Sequence, residues 1–195
     1  MTVISDIFRP ATKADAPALA ELVNYAGEGL PLYLWTKLAK EGEDPWAVGR
    51  ARAAREEGAF SYRNATVIEA DGECAGCLIG YAIPDVPKPV PADMPPIFVP
   101  FQELENLAPG TWYINVLAVQ PKFRNRGLGA KLIALAEDTG RKAGKRGMSL
   151  VVADKNLGAR RLYARHGYTE RATRRMVIDD WDTENEAGLL LVKDF

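Results

Sequence analysis

The chain has 195 residues, of which 47% are hydrophobic and 26% charged, and a formal net charge of −1. This length suits one domain, and the composition excludes wholesale disorder. No apolar run approaches the roughly 18–20 residues that cross a bilayer, and the opening MTVISDIFRP lacks the basic start and apolar stretch of a signal peptide. The sequence therefore predicts a cytoplasmic protein without membrane contact.

The first third predicts a short strand, a polar turn and then a helix, followed by one or two further helices. Asp15 is the expected N-cap of the first helix, with Pro17 in its first turn and apolar residues at helical spacing after it. The turn Asp71-Gly72 separates ATVIEA from CLIGYAI. Turn chemistry of this kind between two apolar runs predicts a β-hairpin.

A proline-rich segment interrupts this pattern. From Pro84 to Pro100 the chain holds seven of its 13 prolines, a density that neither a helix nor a central strand accepts. Neither side of the segment alone resembles a complete core. We therefore predict one domain over residues 1–195 that contains a long loop, 84–111, with a short helix near PFQELENLA.

The most regular stretch follows this loop. TWYINVLAV predicts a strand, PKFRNRG a loop, and the stretch from Leu128 to Gly147 a helix. MSLVVA has the short apolar pattern of a buried parallel strand. NLGARRLYARHG predicts a helix that ends at Gly167, and strands near 168–178 and 188–192 finish the chain.

Charge and metal-ligating residues constrain the partners. Between Lys122 and Arg175 there are 15 Lys and Arg against 4 Asp and Glu, a net charge of +11, while the rest of the chain carries −12. Such an imbalance predicts a polyanionic partner, either nucleic acid or a small ligand with several phosphates.

Two cysteines and one histidine are too few for a four-ligand zinc site, so we expect no metal. The isolated pair Cys74 and Cys77 leads into a strand, whereas a redox CxxC opens a helix.

The junction PKFRNRGLG has the features of an anion site. Gly127 and Gly129 let the backbone approach a ligand, and the helix start offers unpaired N–H groups at the positive end of its dipole. Arg124 and Arg126 add positive charge. The chain lacks a Walker A string, and Leu132 stands where a Rossmann fingerprint has its third glycine. The residues therefore predict a phosphate or pyrophosphate cradle of another kind.

The string RNRGLG at 124–129 resembles the R/Q-x-x-G-x-G/A signature of the GNAT N-acetyltransferases, and it follows a strand that ends in LAVQP, as in that family. Residues 156–168 resemble the family's second block, and FRPATKADAPALAEL is similar to its first strand and helix. The similarity covers 112–168 closely and the N-terminal third loosely. Three blocks in the right order make the resemblance specific.

The resemblance implies an α/β (α+β) fold, with a mixed, mostly antiparallel sheet and helices on both faces. The TWYINVLAV and MSLVVA strands would lie parallel and splay apart, and acetyl-CoA, the implied co-substrate, would enter between them. Loop amides would hold its pyrophosphate, and strand backbone groups would pair with its pantetheine arm. The residues carried over to this binding are Leu117, Val119, Arg124, Asn125, Arg126, Gly127, Leu128, Gly129, Ala130 and Asn156.

Tyr163 and Asn115 are carried over as catalytic residues. Tyr163 matches the tyrosine that protonates the departing thiolate in many relatives, although an aromatic on an apolar helix face is also an ordinary core residue. Asn115 stands where many relatives have a glutamate base and cannot take a proton. It either positions water or substrate or makes a structural hydrogen bond. Other carboxylates near the expected acceptor-side loops stay unranked, namely Glu28, Glu69, Asp85, Glu103 and Glu105.

The implied activity is transfer of an acetyl group from acetyl-CoA to a primary amine, expected on a small molecule, by direct attack in a ternary complex. A homodimer is expected by analogy. A non-catalytic acyl-CoA sensor is the first alternative, favoured by Asn115. A nucleic-acid-binding domain built on 122–175 is the second, and it lacks the interleaved aromatics or groove-entering motif of such domains. Seven aromatics could line an acceptor pocket or pack in the core: Tyr33, Trp35, Trp46, Phe98, Phe101, Trp112 and Tyr113.

Overall fold

A computed structural model describes residues 7–195, so residues 3–6 of the predicted opening strand lie outside the described part. Seven strands and six α-helices are described, and the strands follow the order β1-β2-β3-β4-β5-β7-β6 in one sheet. The strands are β1 (Ile7–Pro10), β2 (Ala65–Ala70), β3 (Glu73–Ala82), β4 (Trp112–Val119), β5 (Gly147–Ala153), β6 (Thr169–Arg175) and β7 (Ala187–Asp194). The helices are α1 (Ala16–Ala26), α2 (Leu30–Leu38), α3 (Pro45–Ala53), α4 (Val99–Glu105), α5 (Leu128–Lys142) and α6 (Leu157–Arg165).

The sheet is mostly antiparallel with one parallel pair, which confirms the predicted fold class. Pairs β1–β2, β2–β3, β5–β7 and β6–β7 are antiparallel. The parallel pair β4–β5 is in register at Trp112↔Met148 and Tyr113↔Ser149. Among the described residues this register stops there, although β5 continues to Ala153. The described parallel pairing therefore covers the first two residues of β4.

The described chain divides into two compact units. The first comprises 7–79 and 116–132, and the second comprises 80–115 and 133–195. Strands β3 and β4 and helix α5 contribute residues to both units. A single domain over 1–195 stays a prediction.

The first unit has its core between the helices α1 to α3 and the strands β2 and β3. Leu19 and Leu22 of α1 are fully buried, as the helical spacing predicts. Trp35 of α2 lies in the same core, with the Phe60 ring stacked against it at 6.0 Å between centroids. Asp15 precedes α1 as expected, but its carboxylate accepts hydrogen bonds from Arg9 at 2.8 Å instead of capping the helix.

The second unit includes the short helix that the sequence places in the proline-rich segment. This helix, α4, packs against β5, β6 and β7 through the buried side chain of Leu104. At the start of the parallel pair, the buried hydroxyls of Thr111 and Ser149 are hydrogen-bonded at 2.7 Å. Helix α6 ends as predicted, with Gly167 in the left-handed region at φ 85°.

In the part of the chain that the structure describes, no helix has both the length and the apolar character needed to cross a membrane.

Candidate functional site

The loop between β4 and α5, in the first unit, has the backbone shape of an anion site. After a 3-10 turn over Pro121–Phe123, Asn125 and Gly127 both adopt left-handed conformations, with φ of 60° and 80°. Asparagine is among the few non-glycine residues that occur there readily. A Cβ on Gly127 would meet no protein atom within 4 Å. The exposed backbone at this point therefore faces open space that a ligand can occupy.

The first turn of α5 supplies the hydrogen-bond donors. The Lys131 N–H donates to the Gly127 carbonyl at 3.2 Å, closing the first turn of the helix. The N–H groups of Leu128, Gly129 and Ala130 precede that bond, and a helix offers no acceptor to amides at this position. The Leu128 side chain is 2% exposed and fixes the helix start in the core. These amides, at the positive end of the helix dipole, suit a phosphate group.

Acidic side chains of the β2–β3 hairpin partly balance the charge of this loop. The Arg126 guanidinium donates to both carboxylate oxygens of Asp71, at 2.6 and 3.3 Å, and this hydrogen bonding lowers the pKa of Asp71. Lys122 pairs in the same way with Glu73. Arg124 donates instead to the backbone carbonyl that ends β4, at 3.2 Å. All four charged partners are exposed, so an incoming anion can compete for the cations.

The strand β4 presents the predicted pattern of alternating faces. Asn115 is exposed and Leu117 and Val119 are half-buried, whereas Val116 and Ala118 between them are buried. The three residues with greater exposure therefore share one face, as expected. The Asn115 amide is open to solvent and so does not lack a hydrogen-bond partner.

Tyr163 and Asn156 belong to α6, in the second unit. Tyr163 is 6% exposed and packs edge-on against Tyr168, with 5.4 Å between ring centroids. The Tyr163 hydroxyl is protonated at neutral pH, and burial raises its pKa further. The Asn156 side-chain oxygen accepts a hydrogen bond from the Ala159 N–H at 3.0 Å and caps the helix. This capping role was missed, although Asn before a helix is its ordinary signal.

Three of the carboxylates that the sequence did not rank differ in their hydrogen-bond partners. Glu69 and Glu103 each form an ion pair with an arginine, at 2.6 and 3.0 Å. Glu105 has a neutral partner, because the Tyr81 hydroxyl donates to it at 2.6 Å. Sequence reasoning did not single out Tyr81. A phenol 24 residues away from a carboxylate gives no local signal of their contact.

The aromatic residues expected near the acceptor divide between core and surface. Trp35 and Trp112 are buried, with 3% and 7% exposure, and serve packing. Tyr113 is also buried, and its ring lies 5.3 Å from that of Tyr81, which is 37% exposed. Phe98 is exposed to the same extent as Tyr81.

The cysteines are free and lie on β3, where the sequence placed them. Burial raises the pKa of Cys74 to about 11 and also raises that of Cys77, so both thiols stay protonated and unreactive at neutral pH. Within residues 7–195, no group of three or more His, Cys, Asp or Glu side chains is arranged to hold a metal ion.

Comparison with solved structures identifies the fold. An acetyltransferase crystal structure superposes with a TM-score of 0.64 at 22% identity, covering 96% of this chain and 98% of the other. An N-acetyltransferase from Staphylococcus aureus Mu50 gives 0.63 at 15% identity, with 96% and 100% covered. The ribosomal-protein-S18-alanine N-acetyltransferase from Escherichia coli gives 0.59 at 17% identity, with 97% and 94% covered. The fold is therefore that of acetyltransferases.

The family follows from the sequence itself. The family model of the acetyltransferase (GNAT) family matches residues 30–168, well over half of the chain. No curated protein sequence matches the chain. The chain belongs to the acetyltransferase (GNAT) family, which confirms the resemblance found in its motifs.

Proposed function

We propose that the protein transfers an acetyl group from acetyl-CoA to the primary amine of a small molecule, by direct attack in a ternary complex. The observation that carries this proposal is the loop before α5. Its left-handed Asn125 and Gly127, its open space and its first-turn amides together suit a pyrophosphate. Family membership supports the acetyl group as the group transferred.

The residues present fit acetyl-CoA. Backbone amides from 125 to 130 would hold the pyrophosphate, and Arg124 and Arg126 would add charge. Backbone groups of Leu117 and Val119, on the more exposed face of β4, would pair with the pantetheine arm. Asn156 would contact that arm through its side-chain N–H₂, because its oxygen already caps α6.

The chemistry requires a neutral amine, a polarised carbonyl and a proton for the leaving group. The amine nitrogen forms a bond to the thioester carbon, and the carbon–sulfur bond then breaks. A backbone N–H of β4 would stabilise the oxyanion formed in between. Tyr163, a phenol that carries its proton at neutral pH, would protonate the departing thiolate. Asn115, exposed on the same strand, would position water or the acceptor.

Two measurements test the proposal. Isothermal titration with acetyl-CoA should show binding that weakens in a variant carrying Gly127→Ala. Release of free thiol should then depend on an added primary amine. Absence of acetyl-CoA binding would contradict the assignment of the loop.

One observation favours a second function. Asn115 replaces the carboxylate that many relatives have on this strand, which is what a sensor that binds acyl-CoA without catalysis would show. Binding of acetyl-CoA without thiol release from any amine would support the sensor. A homodimer and a cytoplasmic location stay predictions.

A further inference from the structure

A tyrosine–carboxylate cluster lies in the second unit, outside the cradle and α6. The Tyr81 hydroxyl at the end of β3 donates to Glu105 at the end of α4, at 2.6 Å. The Tyr81 ring lies 5.3 Å from that of Tyr113 on β4, two residues before Asn115. Glu105 is half-buried and Tyr81 is 37% exposed, so part of the cluster is accessible to solvent.

The charge of Glu105 has no cationic partner in the described chain. Its neighbour Glu103 pairs with Arg174 of β6, whereas residues 7–195 place no Lys or Arg within ion-pair distance of Glu105. Glu105 also ends its helix, where the dipole disfavours a negative charge. A half-buried carboxylate held only by a neutral phenol is suited to receive a cation from outside the chain.

Strands β5, β6 and β7 pack against α4, and among the described residues the ion pairs of their charged side chains do not include Glu105. Strand β5 has no titratable side chain, and the charged residues of β7, Lys193 and Asp194, pair with Glu137 and Arg171. Burial raises the pKa of Tyr113, and the nearby negative charge of Glu105 acts in the same direction.

We propose that Glu105 is the base that takes the proton from the acceptor's ammonium group, with Tyr81 as its positioning residue. The inference rests on the proposed acetyl transfer and supplies the proton acceptor that Asn115 cannot provide. The aromatic faces of Tyr81 and Tyr113 beside a carboxylate also suit an ammonium group. The acceptor is therefore a cationic primary amine.

The step balances as follows. One N–H bond of the ammonium breaks, its proton forms an O–H bond on Glu105, and the nitrogen keeps the electron pair. The neutral amine then attacks the thioester carbon, the carbon–sulfur bond breaks, and the thiolate receives a proton from Tyr163. The amide nitrogen gives up its extra proton and the Tyr163 phenolate takes one proton back. Once Glu105 has released the proton that it accepted, each turnover has released one proton to solvent.

Two acceptors of similar shape can distinguish whether Glu105 acts as a base or has only a structural role. Benzylamine is protonated near neutral pH and needs a base, whereas O-benzylhydroxylamine is already neutral and does not. Thiol release would be measured with each acceptor for the wild-type protein, Glu105→Gln, Tyr81→Phe and the matched control Glu103→Gln. Isothermal titration with acetyl-CoA would be run on all four proteins.

For benzylamine we expect kcat/KM to fall about 100-fold in Glu105→Gln and about tenfold in Tyr81→Phe. With O-benzylhydroxylamine both variants should stay within about threefold of wild type, as should the control with either acceptor. The wild-type kcat/KM for benzylamine should be flat from about pH 6.5 to 8, whereas in Glu105→Gln it should rise about tenfold per pH unit with the free amine.

The failures are distinguishable. A parallel loss with both acceptors, or a wild-type pH profile with the slope of Glu105→Gln, would overturn the role of Glu105 while leaving acetyl transfer intact. Acetyl-CoA binding without thiol release from these acceptors or any other primary amine in the wild-type protein would reject acetyl transfer to amines, and the base assignment with it.

Discussion

Gly127→Ala tests the cradle at an exposed position with a left-handed backbone. Gly127 has φ 80°, and an added Cβ would meet no protein atom within 4 Å. The folded protein therefore pays only for the left-handed conformation of an L-residue, about 1–2 kcal/mol. For a chain of this size that lowers Tm by about 2–8 °C. A bound pyrophosphate, however, would lie where the new methyl group projects.

The chain offers a matched control. Gly144, after α5, has φ 66° and also has no atom within 4 Å of an added Cβ. Gly144→Ala should therefore lower Tm by a similar amount. Isothermal titration should show Kd for acetyl-CoA raised at least about tenfold in Gly127→Ala, which is about 1.4 kcal/mol, and unchanged in Gly144→Ala. Equal affinities in the two variants would refute the placement of the pyrophosphate.

Three further predictions concern single side chains. Tyr163→Phe should lower kcat about tenfold or more while leaving Kd for acetyl-CoA unchanged, and an unchanged kcat would remove its role as acid. Asp71→Asn removes the carboxylate charge that pairs with Arg126. Isothermal titration should then show acetyl-CoA binding that is about two- to fivefold tighter at about 0.01 M salt and hardly changed at about 0.5 M salt. The hydrogen bonds from Arg9 lower the pKa of Asp15 to about 2, so its stabilisation is complete above about pH 4 and lost toward pH 2. Asp15→Asn should lower the free energy of unfolding by about 2 kcal/mol at pH 7 and remove most of its decrease between pH 4 and pH 2, as measured by urea unfolding. The same decrease below pH 4 in the variant as in the wild-type protein would contradict this.

Local chemistry explains which elements the sequence predicted. Asp71 and Gly72 both have positive φ, 54° and 78°, so two adjacent residues were enough to predict the hairpin turn. The end of α5 was misplaced, since the helix stops at Lys142 and not near Gly147. The left-handed Gly144 lies just past this end, and a glycine can end a helix or sit inside it, which sequence alone does not decide.

Long-range pairing was the part that sequence could not supply. Asp71 and Arg126 are 55 residues apart and meet only because the hairpin turn and the loop come together in the folded first unit. The charge count found a basic segment but not that some of its cations already have partners. The capping of α6 by Asn156 could have been predicted from the local sequence, but the family resemblance assigned Asn156 to acetyl-CoA binding instead.

The phosphate-binding loop and the proposed base differ in how well the sequence can predict them. A pyrophosphate cradle is made of consecutive backbone amides, so its residues must be adjacent in sequence and leave a motif. A base needs only to reach the nitrogen with one side chain, and any element that passes nearby can carry it. The segment 84–111 places Glu105 beside Tyr81, while β4 carries Asn115 at the usual position. An amide on the expected strand therefore does not exclude a base elsewhere, and Glu105 on helix α4 is the base that we propose.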